Sequence, residues 1–257
     1  MLTTDEEMFA GISKRGDIET VIDSLIVRCT NLPKDLKPDM LYSGDRVFLM
    51  MNIRAASYGA NYGFKATCPE CQARWDHSMD MLADLEVQEV PEDHQDPFDL
   101  ELPQNGDTVS LRIARGYDER AIIKYIDRQN KKVDIRKVGD PGYTYRLSLH
   151  LMGVTSSTDP NLSFSADNLA ERPGVFHSMA IRYIEALTAM DSSAIRQEID
   201  NRTPGISTAI DLECPKCNHE WRLGLPLTAD FFRSKPASGV HTGTRVVSRV
   251  PREAHTR

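Results

Sequence analysis

The chain has 257 residues, of which 40% are hydrophobic and 27% charged, and its formal net charge is −7. This length is enough for one large domain or two small ones with a buried core, and the composition is that of an ordinary globular protein. The acidic balance argues against nucleic acid or an anionic membrane as a partner bound over the whole surface. No apolar run approaches the length of a membrane span and the N-terminus lacks a signal-peptide pattern, so we expect a cytoplasmic origin and no membrane partner.

The first 60 residues are predicted to form a helical segment. Apolar residues recur at helical spacing from Ile18 to Cys29, and Asp17 precedes them as a candidate N-cap. Cys29 lies on this stripe and is interpreted as a small core residue. A second helix is predicted to begin near Asp45 and to end at the glycines of SYGANYG.

Residues 61–86 alternate between apolar and polar positions on both sides of Cys68 and Cys71. This period of two predicts a strand, a tight turn that carries the two cysteines, and a returning strand. The following EVPEDHQDP segment is interpreted as an acidic loop.

Residues 87–203 are predicted to be a mixed insertion. A hairpin over 98–113 is indicated by alternation around Asn105-Gly106, a pair that favours the left-handed conformations of a type I′ turn. Helices are predicted after Asp118, over 175–190 and after Asp191, whereas 144–154 fits a helix and a strand equally well.

Residues 204–232 are predicted to form a second hairpin of the same kind, and 233–257 a flexible tail with a single acid, Glu253. The tail is interpreted either as a solvated terminus or as an arm that orders against an acidic partner. Its candidate partner-binding residues are Arg233, Lys235, Arg245, Arg249 and Arg252.

The two hairpins carry an internal repeat. The segments TCPECQARW and ECPKCNHEW both read C-P-x-C-x-x-x-W, and each is followed by an Ala-Asp pair and an apolar residue, in LADL and TADF. Two C-x-x-C turns can place four thiolates around one ion, so the pattern predicts a structural Cys₄ zinc site. The predicted ligands are Cys68, Cys71, Cys214 and Cys217.

This zinc site would join the two ends of the chain and close the 142 residues that separate Cys71 from Cys214. We expect Trp75 and Trp221 to pack over it and exclude solvent. A redox pair, an iron–sulfur cluster and two independent metal-free pairs remain open alternatives. His77 and His219 could each replace a cysteine, although such residues are more often surface groups.

No catalytic motif is found, so the sequence predicts neither an enzyme nor a small-molecule substrate. Four acids near the first knuckle (Asp76, Asp80, Asp84 and Glu86) are interpreted as a solvated face. The competing interpretation is a zinc-ribbon accessory factor that binds nucleic acid, which the acidic charge and the absence of a basic stripe oppose.

Two segments, Asp45 to Cys71 and Leu187 to Phe232, resemble the baseplate protein family of T4-like contractile-tailed phages. The resemblance is carried by DRVFLMMNIRAASYGANYGF and by PGIS…CPKC…LTADFF. It implies a virion or assembly protein that docks on the hub or inner wedge of a baseplate, with other tail proteins as partners. It also implies the four cysteines as metal ligands and Phe231–Phe232 as the end of the last strand.

The predicted class is α+β: two CPxC hairpins joined as a split zinc-ribbon-like unit, with a hairpin and helical insertion and flanking helices.

Overall fold

The computed structural model describes residues 1, 5, 7, 18–90, 92, 94–131, 140, 142–225 and 231. These residues form a mixed α+β fold, as predicted. The helices are α1 (Ile18–Cys29), α2 (Ser43–Tyr58), α3 (Gly116–Asn130), α4 (Tyr143–His150), α5 (Pro173–Ala186) and α6 (Ala189–Arg202), with short 3₁₀ turns at Pro38–Met40 and Pro160–Leu162. The strands are β1 (Asn61–Thr67), β2 (Arg74–Asp80), β3 (Val87–Gln88), β4 (Phe98–Glu101), β5 (Thr108–Leu111), β6 (Leu151–Thr155), β7 (Phe164–Ser165), β8 (Gly205–Ile206), β9 (Ala209–Glu213) and β10 (Glu220–Gly224).

The buried side chains divide into two hydrophobic cores. Core A joins α1 and α2 to the β1–β2 and β9–β10 hairpins and to Phe231. Core B lies between helices α4, α5 and α6 and the antiparallel sheet of order β4-β5-β6-β7. Among the described residues, no helix has both the length and the apolar composition needed to cross a membrane. The division into segments at residues 60, 86, 203 and 232 stays a prediction.

The α1 and α2 helices form as predicted. Leu25 and Ile26 of α1 and Met51 of α2 are fully buried in core A, and Cys29 is half-buried against it. The α2 helix ends at Tyr58, and its C-cap Gly59 has a φ of 89°, in the left-handed region that glycine adopts without strain. Asp17, the predicted cap of α1, lies outside the described residues.

A short strand that the sequence does not indicate lies directly before the predicted acidic loop. Val87 and Gln88 pair antiparallel with Ile206 and Gly205, so that β3 joins the β8 strand near the other end of the chain. Two residues cannot establish a period of two, because a strand this short is defined by its partner alone.

The predicted hairpin over 98–113 is confirmed, but its turn is not type I′. Gly106 has a φ of 72° while Asn105 stays outside the left-handed region, so only one of the two residues has the required conformation. The loop is longer than a two-residue turn because the Asp107 side chain connects it to distant parts of the chain. The Asp107 carboxylate accepts hydrogen bonds from the Ser157 N–H at 2.8 Å and the Tyr183 hydroxyl at 2.9 Å.

The ambiguous segment 144–154 is both a helix and a strand, since α4 ends at His150 and β6 begins at Leu151. The stripe predicted over 175–190 is wrong at both ends. Val175 is 47% exposed, and Met190, which belongs to α6, is 61% exposed. The middle of the stripe is confirmed, since Met179, Tyr183 and Leu187 pack against core B beside the buried face of α5. That buried face carries Ala180 and Ile184.

Asp118 and Asp191 each lie in the first turn of a helix but are not N-caps. The carboxylate of Asp118 accepts from the Arg115 N–H at 2.9 Å, and Arg115 is the N-cap of α3, which therefore begins three residues earlier than predicted. Asp191 is fully buried and accepts from the Gln104 N–H at 2.8 Å, which connects α6 to the hairpin loop.

A buried cation connects the N-terminal helices. Arg46 of α2 is 3% exposed and pairs with Glu19 at 2.6 Å and with Asp23 at 2.5 Å, both on α1. Asp23 in turn pairs with Arg120 of α3 at 2.5 Å. Burial raises the pKa of Glu19, although the attraction of Arg46 opposes this shift. Electrostatic pairing therefore joins α3, which follows the core B strand β5, to the core A helices.

We predict that Arg46→Met lowers the free energy of unfolding by about 3–5 kcal/mol, because two carboxylates lose their buried partner. The deficit should shrink as the pH falls through the raised pKa of Glu19 toward its ordinary value of 4.5, since protonation removes the unpaired charge. Urea unfolding at several pH values measures both effects. Arg146→Met is the matched control, since Arg146 and Asp140 pair on the surface with 44% and 49% of their side chains exposed. A loss of similar size in the control would contradict the prediction.

Candidate metal centre

The first cysteine turn joins β1 to β2. The Cys68 N–H donates to the Ala73 carbonyl at 2.9 Å, and the Gln72 N–H donates back to the Cys68 carbonyl at 3.1 Å. Gln72 has a φ of 57°, a conformation uncommon for a residue with a side chain. These bonds fold the C-x-x-C segment so that both cysteines lie on one side of the turn.

The second cysteine turn joins β9 to β10 with the same backbone. The Cys214 N–H donates to the His219 carbonyl and the Asn218 N–H to the Cys214 carbonyl, both at 2.9 Å. Asn218 has a φ of 55° and stands one residue after its second cysteine, as Gln72 does. The repeat found in the sequence is therefore a repeat of backbone geometry.

The four predicted ligands come together. The sulfurs of Cys68, Cys71, Cys214 and Cys217 all lie within 4.8 Å of one another. Two sulfur pairs connect the two turns: Cys68 to Cys217 at 3.7 Å and Cys71 to Cys214 at 3.6 Å. Four thiolates at about 2.3 Å from one ion in a tetrahedron are about 3.8 Å apart, so this spacing fits a single metal ion. It is far too long for a disulfide, and all five cysteines are free.

Backbone N–H groups point at two of the sulfurs. The Cys71 N–H lies 3.5 Å from the Cys68 Sγ, and the Lys216 N–H lies 3.4 Å from the Cys214 Sγ. An N–H dipole directed at sulfur stabilises the thiolate, which is the form that binds metal.

The pKa values of Cys214 and Cys217 shift in opposite directions. Burial raises the pKa of Cys214, but hydrogen bonds from the Lys216 and Cys217 N–H groups and from neighbouring thiols outweigh it and lower the pKa to about 7. The His219 N–H lowers the pKa of Cys217, but desolvation and the adjacent sulfurs raise it to about 12. One thiolate thus makes the next harder to form. A divalent cation would replace the remaining protons, so metal affinity should fall as the pH falls.

The two predicted tryptophans contact each other, while their packing over the cluster stays a prediction. Trp75 and Trp221 meet edge to face with ring centroids 5.6 Å apart, and both are half-buried. Cys68 and Cys214 are fully buried, while Cys217 is exposed. The centre therefore has a dry side toward core A and an open side toward solvent.

The two nearby histidines have other contacts. The His219 ring stacks on Trp221 with centroids 6.1 Å apart, and the His77 ring lies 5.3 Å from Phe64. Among the described residues, the ligand cluster holds the four sulfurs and neither histidine nitrogen. Cys29 also lies outside the cluster. Four protein sulfurs fill a tetrahedral shell and leave no position for water, so the arrangement suits a structural ion.

The apolar residue that follows each Ala-Asp pair is buried in the same core. Leu85 of the first copy and Phe231 of the second are 5% and 1% exposed in core A. Phe231 has 3₁₀ geometry, so the expectation that it ends a strand is wrong. Phe232 and the predicted partner-binding cations of the tail lie outside the described residues.

Arg54 holds Phe231 in place, a role that sequence reasoning missed. Its Nε donates to the Phe231 carbonyl at 3.0 Å, its Nη1 donates to the Gly59 carbonyl at 2.7 Å, and it lies 5.0 Å from the Tyr62 ring centroid. Desolvation lowers the pKa of Arg54. The sequence contained one signal for this role: Arg54 directly follows Ile53, a buried residue of the apolar stripe of α2.

Comparison with known families gives one match. The family model described as T4 bacteriophage base plate protein matches residues 1–151, more than half of the chain. Comparisons with curated proteins and with solved structures give no significant match. The matched region includes Cys68 and Cys71 and ends before Cys214 and Cys217. The chain therefore belongs to the T4 bacteriophage base plate protein family.

Proposed function

We propose that this protein is a structural subunit of a contractile phage tail, located at the hub or inner part of the baseplate and stabilised by a Cys₄ zinc site. Membership of the base plate family supports a place in the virion tail and contacts with other tail proteins. The proposed zinc site is supported by one observation: four sulfurs lie at tetrahedral spacing, although they come from turns 142 residues apart.

Zinc is favoured over the other sulfur-bound centres. In an iron–sulfur cluster the thiolates bind different irons, so their sulfurs lie further apart than ligands that share one ion. A redox pair would use the two sulfurs of one C-x-x-C turn, whereas here each turn also places its sulfurs 3.6 Å or 3.7 Å from those of the other turn. Zinc is the common occupant of a closed Cys₄ shell and needs no redox chemistry.

A structural role without catalysis follows from the same features. The proposed ion has no open coordination position, and its binding free energy would stabilise the folded chain. A stable unit with joined ends suits a particle in which each subunit must keep its shape. The tail of 233–257 is the proposed arm toward acidic surfaces of neighbouring proteins.

The alternative function, a zinc-ribbon factor that binds nucleic acid, has less support. Asp76, Asp80, Asp84 and Glu86 near the first knuckle are all exposed. Carboxylates at this position would repel phosphate, so the first hairpin is a poor surface for a nucleic-acid backbone.

We predict about one zinc ion per chain in purified protein, measured by atomic emission. Cys214→Ser should lose or weaken the zinc and lower the melting temperature, because three thiolates cannot close the shell. Cys29→Ser is the matched control, since Cys29 lies outside the cluster. It should keep the metal. Freshly purified wild-type protein without metal would refute the zinc site.

Metal removal should also change tryptophan emission. Both tryptophans of the sequence lie in the two knuckle hairpins and contact each other. Separation of the hairpins by a chelator would expose both rings to water and shift the emission to longer wavelength, and added zinc should reverse the shift. An emission maximum that does not respond to the chelator while zinc leaves the protein would contradict the proposed link between metal and hairpin contact.

Deletion of residues 236–257 should leave the fold intact and weaken incorporation into the particle. The reason is that this segment has few large apolar residues and a high density of cations. Melting temperature and zinc content report the fold, and the amount of protein in purified tails reports incorporation. Normal tail assembly with the truncated chain would refute the proposed role of the arm.

A further inference from the structure

The β4 strand forms one edge of the four-stranded sheet. The β4 strand ends the order β4-β5-β6-β7, and within the described part of the chain no strand pairs with its outer side. The Leu102 N–H donates to the Asp107 carbonyl, toward β5, at 2.8 Å. Because backbone groups alternate along a strand, the N–H and C=O groups of Asp99 and Glu101 point away from β5. Another strand could therefore pair with this edge.

The side chains of β4 give this edge a strong negative charge. Asp99 and Glu101 are exposed and share the outer face of the sheet, whereas Phe98 is buried in core B. Neither carboxylate is in an ion pair with a described residue. They belong to a longer acidic stretch, since the sequence from Trp75 to Leu111 contains eleven Asp and Glu and no Lys or Arg.

An acidic edge selects its partner by charge. Like charges directly opposite each other destabilise a strand pair, so two copies of β4 would repel each other. A basic strand would instead gain both the backbone hydrogen bonds and the cross-strand ion pairs. On the core side of β4, the Arg202 guanidinium lies 4.5 Å from the Phe98 ring centroid. The charge of Arg202 is already paired with Glu198.

The chain contains a segment that matches this edge. Residues 244–252 read TRVVSRVPR. As an extended strand, this segment would place Arg245 and Arg249 on one face and Val246 and Val250 on the other. Beside β4, the arginines would face the two carboxylates and the valines would extend core B. Pro251 has no N–H group, which suits only an edge position.

The arm is long enough to reach another molecule. Phe231, the last described residue, is buried in core A and its carbonyl accepts a hydrogen bond from Arg54. The residues between Phe231 and Thr244 span about 45 Å when extended. A chain of 257 residues has a radius of gyration of about 18 Å, so the segment can cross to a neighbouring copy.

We propose that the β4 edge binds residues 244–252 of a second copy of this chain as an added β-strand. This inference rests on the structural role proposed above and adds that copies of the chain lie side by side. The contact is heterologous, because the arm of one copy meets the edge of the next. Such a contact repeats around a closed ring or along a filament.

Two full-length variants with reversed charges test the contact. The edge variant is D99K with E101K, and the tail variant is R245E with R249E. We expect sedimentation equilibrium to show self-association of the wild type that weakens when ionic strength rises from about 0.05 M to about 0.5 M. Each variant alone should associate at least about tenfold more weakly, since its edge and arm then carry like charges.

An equimolar mixture of the two variants should restore association. The arm of each variant then meets an edge of opposite charge on the other, which an arm folded onto its own molecule would not produce. The matched controls are E171K with E185K, and R172E with R182E, which reverse exposed charges at α5. Both controls should associate as the wild type does.

Three results would overturn the proposal: a wild type that stays monomeric at all concentrations, a mixture that stays monomeric, or controls that weaken as much as the variants. The first result would leave the edge open or occupied by the arm of the same molecule. Zinc content and melting temperature of the same samples separate this contact from the proposed function. A wild type that carries its zinc but stays monomeric would refute the edge contact alone.

Discussion

The four-sulfur cluster is the constraint on which the rest of the fold depends. It brings the Cys68–Cys71 turn to the Cys214–Cys217 turn and thereby closes the 142 residues between them. Closing a flexible loop of this length costs about 4 kcal/mol in chain entropy, beyond a constant term. A structural zinc site contributes about 10–16 kcal/mol, so one ion would be enough to offset that cost.

Core A depends most directly on this closure. Its two hairpins are separate two-stranded sheets, and isolated hairpins of this size are marginal in water. They become stable together because the cluster, the tryptophan contact and the shared buried residues hold them against α1 and α2. Core B has a four-stranded sheet of its own, and reaches core A through the Asp23–Arg120 pair and through β8. There Gly205 lies so close to Gly44 that an added Cβ would be 2.4 Å from its backbone.

Patterns that repeat over many residues predicted structure well. The stripes of α1 and α2 and the alternation in both knuckle hairpins were sufficient, because each involves many side chains that share one face. Patterns in short or mixed segments did not predict the structure. The strand Val87–Gln88 exists only through its partner β8, and the turn at Asn105 is set by the Asp107 carboxylate and its contacts with Ser157 and Tyr183. Those contacts lie 50 or more residues away, where local propensity carries no information.

The sequence by itself determined which four cysteines meet, since two C-P-x-C-x-x-x-W copies with alternating flanks leave little freedom in which sulfurs can approach each other. It also carried the likeness to the baseplate family. Only the tertiary structure decided that the sulfurs lie at the spacing of a single ion, that Phe231 is anchored by the buried Arg54, and that β4 is an acidic edge strand of the described sheet. The physical reason is that periodicity records which face a residue takes, whereas distance, burial and strand order depend on parts of the chain far apart in sequence.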